Sequence, residues 1–270
     1  MKRNLKKIGF GIMLAVFIAS SFSLSSCKKK VAPVLPPEGA FVMADLSEDG
    51  SKSLPEVGSE NFLLATGNVF VWTVITTVAM VVPVTAYTSA LQQEPHHVSG
   101  NKWVWEYQFG IGFKIYTVQL FGETVDNEVN WELHVSLTGE IDDFVWYTGT
   151  HNLEGSAGQW IIYKSPSENH EFIQIDWTRN SDDETGTIKY TNIEAGNAEN
   201  GGYIYYGNDQ AGEFNTFFDI FNKGENNLIE IDYNSTYHNG RIKNEKYYLD
   251  DLWHCWNENY IDDYCDTPTK

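Results

Sequence analysis

The sequence predicts a mainly β protein: an antiparallel up-and-down meander of about eleven strands, curled into a barrel-like sheet around one long apolar helix. Three observations carry this expectation. The stretch Asn61–Gln93 holds no charged residue, in a chain whose formal net charge is -19. From Asn101 onward, apolar and polar residues alternate with period two between turn-forming residues. No helical pattern interrupts that run, so short turns join consecutive strands into a sequential meander.

In chain order, Lys2, Arg3, Lys6 and Lys7 precede an apolar run from Ile8 to about Phe22, which leads to Leu24-Ser25-Ser26-Cys27. A basic start, a short apolar segment and small residues before a cleavage point make an export signal, residues 1–26, which takes no part in the fold. The apolar residue, two small residues and cysteine resemble the lipobox of bacterial lipoproteins. The resemblance implies that Cys27 receives a diacylglyceryl group and becomes the acylated first residue of the mature chain. With Lys28 rather than Asp next, it also implies the outer membrane. Several acyl chains, at about 0.8 kcal/mol per buried CH₂, make such attachment durable. Residues 27–59 follow as anchor and tether: Lys28, Lys29 and Lys30 form a basic start, and four of the eight prolines fall between Ala32 and Ser59. Phe41, Val42 and Met43 are the apolar cluster of this tether and are expected to dock as a short strand.

The domain, residues 60–270, opens with the central helix, 60–93. Between Val69 and Gln92 there is no Gly, Asn or Asp to reverse the chain, which favours one helix over two strands. Ser59 reads as the N-cap, with Glu60 as an acid in the first turn. From Asn61 to Val82 the helix reaches roughly 33 Å, enough to cross a bilayer core. Against a crossing stand Gly67, Asn68, four threonines, Pro83, and the lack of Lys or Arg near either end. A second membrane segment and a pair of central strands remain the alternatives. A helix apolar on every side is normally a buried one, so the sheet is expected to wrap it.

The strands are expected at Lys102–Phe109, Phe113–Phe121, Glu128–Leu137, Phe144–Gly149, Gln159–Lys164, Glu171–Arg179, Thr185–Ile193, Gly202–Gly207, Asn215–Asn222, Leu228–Asn234 and Gly240–Lys246. Asn239-Gly240 suits a two-residue hairpin turn, because both central positions need positive φ. A weak repeat runs through the second half: the strand Ile173 to Trp177, followed by Gly186-Thr187-Ile188-Lys189, recurs as Ile229 to Tyr233, followed by Gly240-Arg241-Ile242-Lys243. Repetition of this kind implies three strands per unit.

Only Cys255 and Cys265 remain once Cys27 is acylated, and in an exported chain they are expected to pair and close the loop 255–265. His254 beside Cys255 lacks a second ligand pair at metal spacing, so no metal and no cofactor is expected. Removal of the signal takes four basic residues and leaves 14 basic against 37 acidic, a net of -23. Nucleic acid is excluded as a partner, since a phosphate backbone needs a basic face.

Motifs for nucleophilic, metal-dependent or nucleotide chemistry are absent, and no catalytic residue is assigned. Two same-face pairs, Glu132 with His134 and Glu230 with Asp232, are the minimum for acid–base work on glycans, yet an acid-rich chain produces such pairs by chance. The acid-rich turns at Asp142-Asp143, Ser181 to Glu184 and Asp262-Asp263 read as solvated rather than calcium-binding. Aromatic residues are the sharper lead, with nine Trp and fifteen Tyr. Trp103, Trp105, Tyr203 and Tyr205 are the candidate contacts, and the two tryptophans are expected to face opposite ways on one strand, one in the core and the other nearer solvent. The implied function is a non-catalytic, lipid-anchored envelope protein that binds a partner protein, glycan or amphiphile. The alternatives are a structural outer-membrane assembly lipoprotein and a glycan-hydrolysing enzyme. The mature chain is similar to uncharacterised bacterial envelope lipoproteins with an aromatic-rich meander and a W-H-C-W segment, here Trp253 to Trp256, which carry no assigned activity.

Overall fold

The computed structural model describes residues 30–36, 40, 46, 59–180, 185–208 and 212–265. Two compact units divide the chain, Met1–Val31 and Ala32–Lys270, and the second carries the fold. It begins with helix α1 (Glu60–Ala90), followed by β1 (His96–Ser99), β2 (Lys102–Ile111), β3 (Lys114–Val125), β4 (Glu128–Leu137), β5 (Ile141–Asn152), β6 (Ala157–Ser165) and β7 (Glu168–Arg179). Then come β8 (Gly186–Asn192), β9 (Tyr203–Gly207), β10 (Thr216–Asn222), β11 (Asn227–Tyr233), β12 (Gly240–Asn244), the short helix α2 (Glu245–Tyr248), β13 (His254–Trp256) and β14 (Asp262–Asp263). All eleven expected strands are present, and three short ones, β1, β13 and β14, lie at the ends of the meander where the alternating pattern is too brief to read. Phe41, Val42 and Met43 lie outside the described residues, as does the acid-rich run 181–184.

The fourteen strands form one sheet in sequence order, each antiparallel to the next. The expected barrel-like closure does not occur: among the described residues β1 and β14 are the two edges of an open sheet. The helix shows why. Near its start, the Asn61 amide donates to the Cys255 carbonyl on β13 at 2.9 Å, and near its end the Ala86 carbonyl accepts from the Tyr107 hydroxyl on β2 at 2.5 Å. Those two points are roughly 37 Å apart along a helix rising about 1.5 Å per residue. A rod docked by its two ends on opposite flanks of a sheet holds the flanks apart.

Period-two alternation puts one row of apolar side chains against α1 and one polar row outward. Leu120, Leu133, Ile162, Ile175, Ile204, Ile231 and Ile242 are all fully buried on the helix side. Chain before the helix covers part of the same side, with Ala40 and Leu46 buried and the Pro36 carbonyl accepting from the Tyr87 hydroxyl. Burial raises the Tyr107 hydroxyl well above the ordinary phenol range, and burial together with the neighbouring Tyr107 and Tyr87 hydroxyls does the same to Tyr147.

Glycines set the places where tryptophan fits. Gly122 faces Trp131, Gly149 faces Trp160, Gly158 faces Trp177 and Gly240 faces Trp256 as directly opposed cross-strand pairs. In each, the indole occupies the space a Cβ would need, 2.0–2.7 Å from the nearest ring atom. An aromatic ring laid over a glycine restores the packing that glycine lacks. Much of the tryptophan content therefore belongs to the core.

Two local expectations need correction. Asn239-Gly240 is not a hairpin centre: Gly240 already pairs with Tyr233, and the positive φ falls on His238, at 64°. The longer turn Asn234 to Asn239 is closed instead by the His238 amide on the Asn234 carbonyl at 2.8 Å. At the start of α1, the Ser59 hydroxyl is buried and caps nothing. The Asp262 carboxylate from β14 does so, taking the Glu60 amide at 3.1 Å and the Asn61 amide at 2.9 Å. A remote acid satisfies the free N–H groups and complements the helix dipole.

The sheet does not wrap α1 either. Phe62, Ala65, Val69, Trp72, Met80, Pro83, Tyr87 and Ala90 face the strands. Leu63, Phe70, Val71, Val74, Val78 and Val81 face away and are exposed. One side of an open sheet offers no second wall, so half of the helix stays uncovered.

Candidate functional site

The outer face of β8 to β12 collects the chain's polar and aromatic side chains in register. Reading straight across adjacent strands, Asp176 on β7 faces Lys189, which faces Tyr205, then Asp219, Glu230 and Lys243. One rung along, Tyr203 faces Phe221, and Phe221 faces Leu228. Tyr203 and Phe221 pack with ring centroids 5.7 Å apart, and the Lys189 ammonium sits 4.0 Å above the Tyr203 ring. Directly opposed residues lie close enough for their side chains to touch, so this face is a set of pairs rather than scattered residues.

Three carboxylates meet here. Asp219 lies beside Glu230 and Asp232, and partial burial together with those two negative charges pushes its carboxyl up to about 6. Asp232 is held by Arg241, whose guanidinium nitrogens reach it at 2.6 and 2.7 Å, while Lys243 bridges Glu230 at 3.5 Å and Asp251 at 2.6 Å. Among the described residues no cation pairs with Asp219 to offset its burial and the two acids beside it, so its charge is the disfavoured one. Sequence parity placed Glu230 and Asp232 on one face, as found; Asp219 was missed because only strand pairing brings it opposite Glu230.

Beside this row runs an open groove of about 870 Å³ lined by Phe221, Leu228, Glu230, Lys243, Glu245, Leu249 and Asp251 among others. Leu228 is 43% exposed and Leu249 86% exposed. Leu249 ends α2 in the left-handed region, φ 63°, where glycine is the usual occupant. No sequence signal announced it, because a leucine after a four-residue helix carries no pattern.

Two further clusters occupy other strands. His134 lies between Glu132 and Asp143, its Nδ1 2.9 Å from Asp143, and lines a shallower depression of about 410 Å³ with Glu106, Gln119 and Ser136. Near the β6–β7 turn, Glu168, His170 and Glu194 bring three ligand atoms within 4.8 Å of one another, a spacing that a metal ion could use. The Lys164 ammonium already sits among them, 2.8 Å from Glu168 and 2.7 Å from Glu194. Hydrogen bonds from Lys164, Asn197 and His170 hold the Glu194 carboxyl down at about 2. A cation supplied by the chain sits where an ion would, and its pairs hold these acids.

Of the other candidate contacts, Trp105 is 2% exposed in the core against Trp131, and Trp103 is partly buried at the margin of the sheet against His97. The expectation that the two face opposite ways is wrong: two residues apart on one strand, they share a face, and only their distance from the sheet margin separates their burial. Tyr203 and Tyr205 lie on the outer face described above. His254 stacks on Tyr248 and reaches Asp250 at 3.1 Å. Cys255 and Cys265 form a disulfide, Cα to Cα 5.2 Å. Cys27 lies outside the described residues. No family model, curated protein or solved structure matches this chain.

Proposed function

We propose that this chain is a lipid-anchored protein of the bacterial outer membrane, held through Cys27, whose outer sheet face binds a segment of another envelope protein without catalysis. The observation that carries the reading is the groove at β10–β12. It keeps Leu228 and Leu249 in water and holds Leu249 in a backbone conformation that costs of order 1 kcal/mol, neither of which folding rewards. Apolar side chains among alternating charges, Glu230, Lys243, Glu245, Lys246 and Asp251, suit a peptide with both apolar and charged residues. Of the partner classes open from sequence, a protein segment is therefore favoured over a glycan or an amphiphile.

Photo-crosslinking in cells tests it. A benzophenone amino acid at Leu249 or Leu228 should yield one discrete protein adduct, and the same group at Thr117 on the far strands should not. Adducts identical at all three positions, or none, would remove the reading. An adduct-free result together with Tyr203-dependent retention on cell-wall polysaccharide would favour a glycan instead.

A second reading has one observation in its favour, the opposed pair Asp219 and Glu230 with the Asp219 carboxyl raised toward neutrality. A protonated acid beside a carboxylate is what glycan hydrolysis needs. Release of reducing sugar from cell-wall polysaccharide, lost in Asp219→Asn, would support it.

A further inference from the structure

We propose that α1 is a membrane-contact element: its uncovered side lies in the apolar layer of a lipid bilayer, parallel to the surface, while its other side carries the sheet. The inference draws on the anchored reading above only to bring the helix to a bilayer.

The first ground is the composition of the uncovered side. Leu63, Phe70, Val74 and Val81 run along it, and the residues that flank this line, Val71, Ile75 and Val78, are exposed as well, Val78 to 73% and Phe70 to 55%. No charged residue interrupts the helix between Glu60 and Glu94. A contact with a second copy or another protein would bury a central seam and leave a polar rim in water. Here the rim carries no charge and is polar only at threonines such as Thr73, Thr77 and Thr85, which fits a continuous apolar phase. By length and hydropathy the helix would also suit hydrocarbon.

The second ground is independent of the first. Most polar side chains of α1 bond to the helix's own backbone, exposed Thr77 apart: the hydroxyls of Thr66, Thr73, Thr76 and Thr85 donate to carbonyls four residues back at 3.0, 3.2, 2.8 and 2.6 Å, and the Asn68 amide does the same at 2.7 Å. In water such groups need no internal acceptor. In hydrocarbon every polar group must find one within the protein.

The sheet decides between lying flat and crossing. Both ends of α1 are docked on the sheet, and the outer face of that sheet carries Asp176, Lys189, Asp219, Glu230 and Lys243 on β7 to β12. A crossing helix would drag that charged face into the apolar layer, at a few kcal/mol per charged side chain. Lying in the plane puts the charges on the water side, with the groove at β10–β12 facing away from the membrane. In-plane helices of this kind sit about 5–10 Å deep.

The test uses the full chain in phosphatidylcholine vesicles that contain nitroxide-labelled acyl chains. An environment-sensitive fluorophore is placed through V74C, V78C or, on the outer face, T178C; V81C serves where a labelled helix variant fails to fold. The expected result is blue-shifted emission and severalfold stronger quenching at Val74 and Val78 than at Thr178. Equal quenching at all positions overturns the proposal. So does weak quenching with concentration-dependent cross-linking of V74C between chains, which would assign the surface to a second copy. The mass of the Cys27 peptide separates the two readings. Acylated Cys27 with an unquenched helix sinks this inference alone, and bare Cys27 with a quenched helix sinks the lipoprotein reading alone.

Discussion

Asp262 and Asp219 show how far a single carboxylate depends on what faces it. Asp262 receives two backbone N–H groups at the start of α1. Asp262→Ala removes that cap and is expected to lower stability by about 1 kcal/mol, read from the midpoint of urea unfolding. An unchanged midpoint would mean that the Tyr247 and Tyr248 hydroxyls, each 2.6 Å from Glu60 or Asn61, hold the helix start unaided. Asp219 behaves oppositely. Its folded carboxyl stands at about 6 against an ordinary 3.8, so the folded state binds a proton more tightly than the unfolded one. Below the ordinary value both states are protonated and pH has no effect through this group. Between that value and about 6 stability falls as pH rises, and above it the loss is constant. Solvent screening at this half-buried site reduces the loss to about 1 kcal/mol. Asp219→Asn should therefore stabilise the protein at pH 8 and flatten its stability between pH 4 and 6; unfolding curves parallel to wild type across that range would disprove the assignment. Neither role is readable from sequence, since Asp262 sits in a turn that looks solvated and Asp219 in a strand whose neighbours are far along the chain.

At the scale of elements, tryptophan and glycine explain each other. A Cβ on Gly149 would lie 2.0 Å from the Trp160 ring and 2.6 Å from the Gln159 carbonyl. Gly149→Ala is expected to cost about 1–3 kcal/mol by overpacking, checked by thermal unfolding. Gly67→Ala makes the contrast, because nothing lies within 4 Å of its Cβ position on α1, and it should stabilise by up to about 1 kcal/mol. If the two substitutions behave alike, the glycine–tryptophan pairs are not what fixes these strands. The repeat shows what register tolerates. Ile188 pairs with Trp177 on β7, whereas Ile242 pairs with Ile231 on β11, two residues nearer the strand start in the repeated unit. An even shift keeps every side chain on its face, so the copies diverge in turn length without exposing their cores. The disulfide acts at the same scale: Cys255 lies on β13 and Cys265 closes the hairpin that carries Asp262. Its removal is expected to cost about 3 kcal/mol by chain entropy.

For the whole molecule the deciding feature is that the sheet is open and its helix half covered. Spin labels at Gln108 on β2 and Lys243 on β12 should report a separation above about 30 Å, set by a helix that rises about 1.5 Å per residue between the two flanks. A separation under about 15 Å would restore the closed barrel, in which such strands approach within a few strand spacings of about 4.8 Å. The two sides of the sheet then have separate work: the helix side faces apolar matter and the outer side presents charge, rings and the groove at β10–β12. The sequence by itself determined the helix, eleven of the fourteen strands and the order in which those eleven pair, because period-two patterning, missing turn residues and short connections are local properties of the chain. It also marked Glu230, Asp232, Tyr203 and Tyr205 as sharing a face with their neighbours two residues away. Only the tertiary structure decided that the sheet stays open, that α1 keeps a bare side, and that Asp219, Leu228 and Leu249 join those residues. Closure, coverage and cross-strand neighbourhood depend on where distant segments dock. An apolar helix reads the same in sequence whether strands or lipid will cover it.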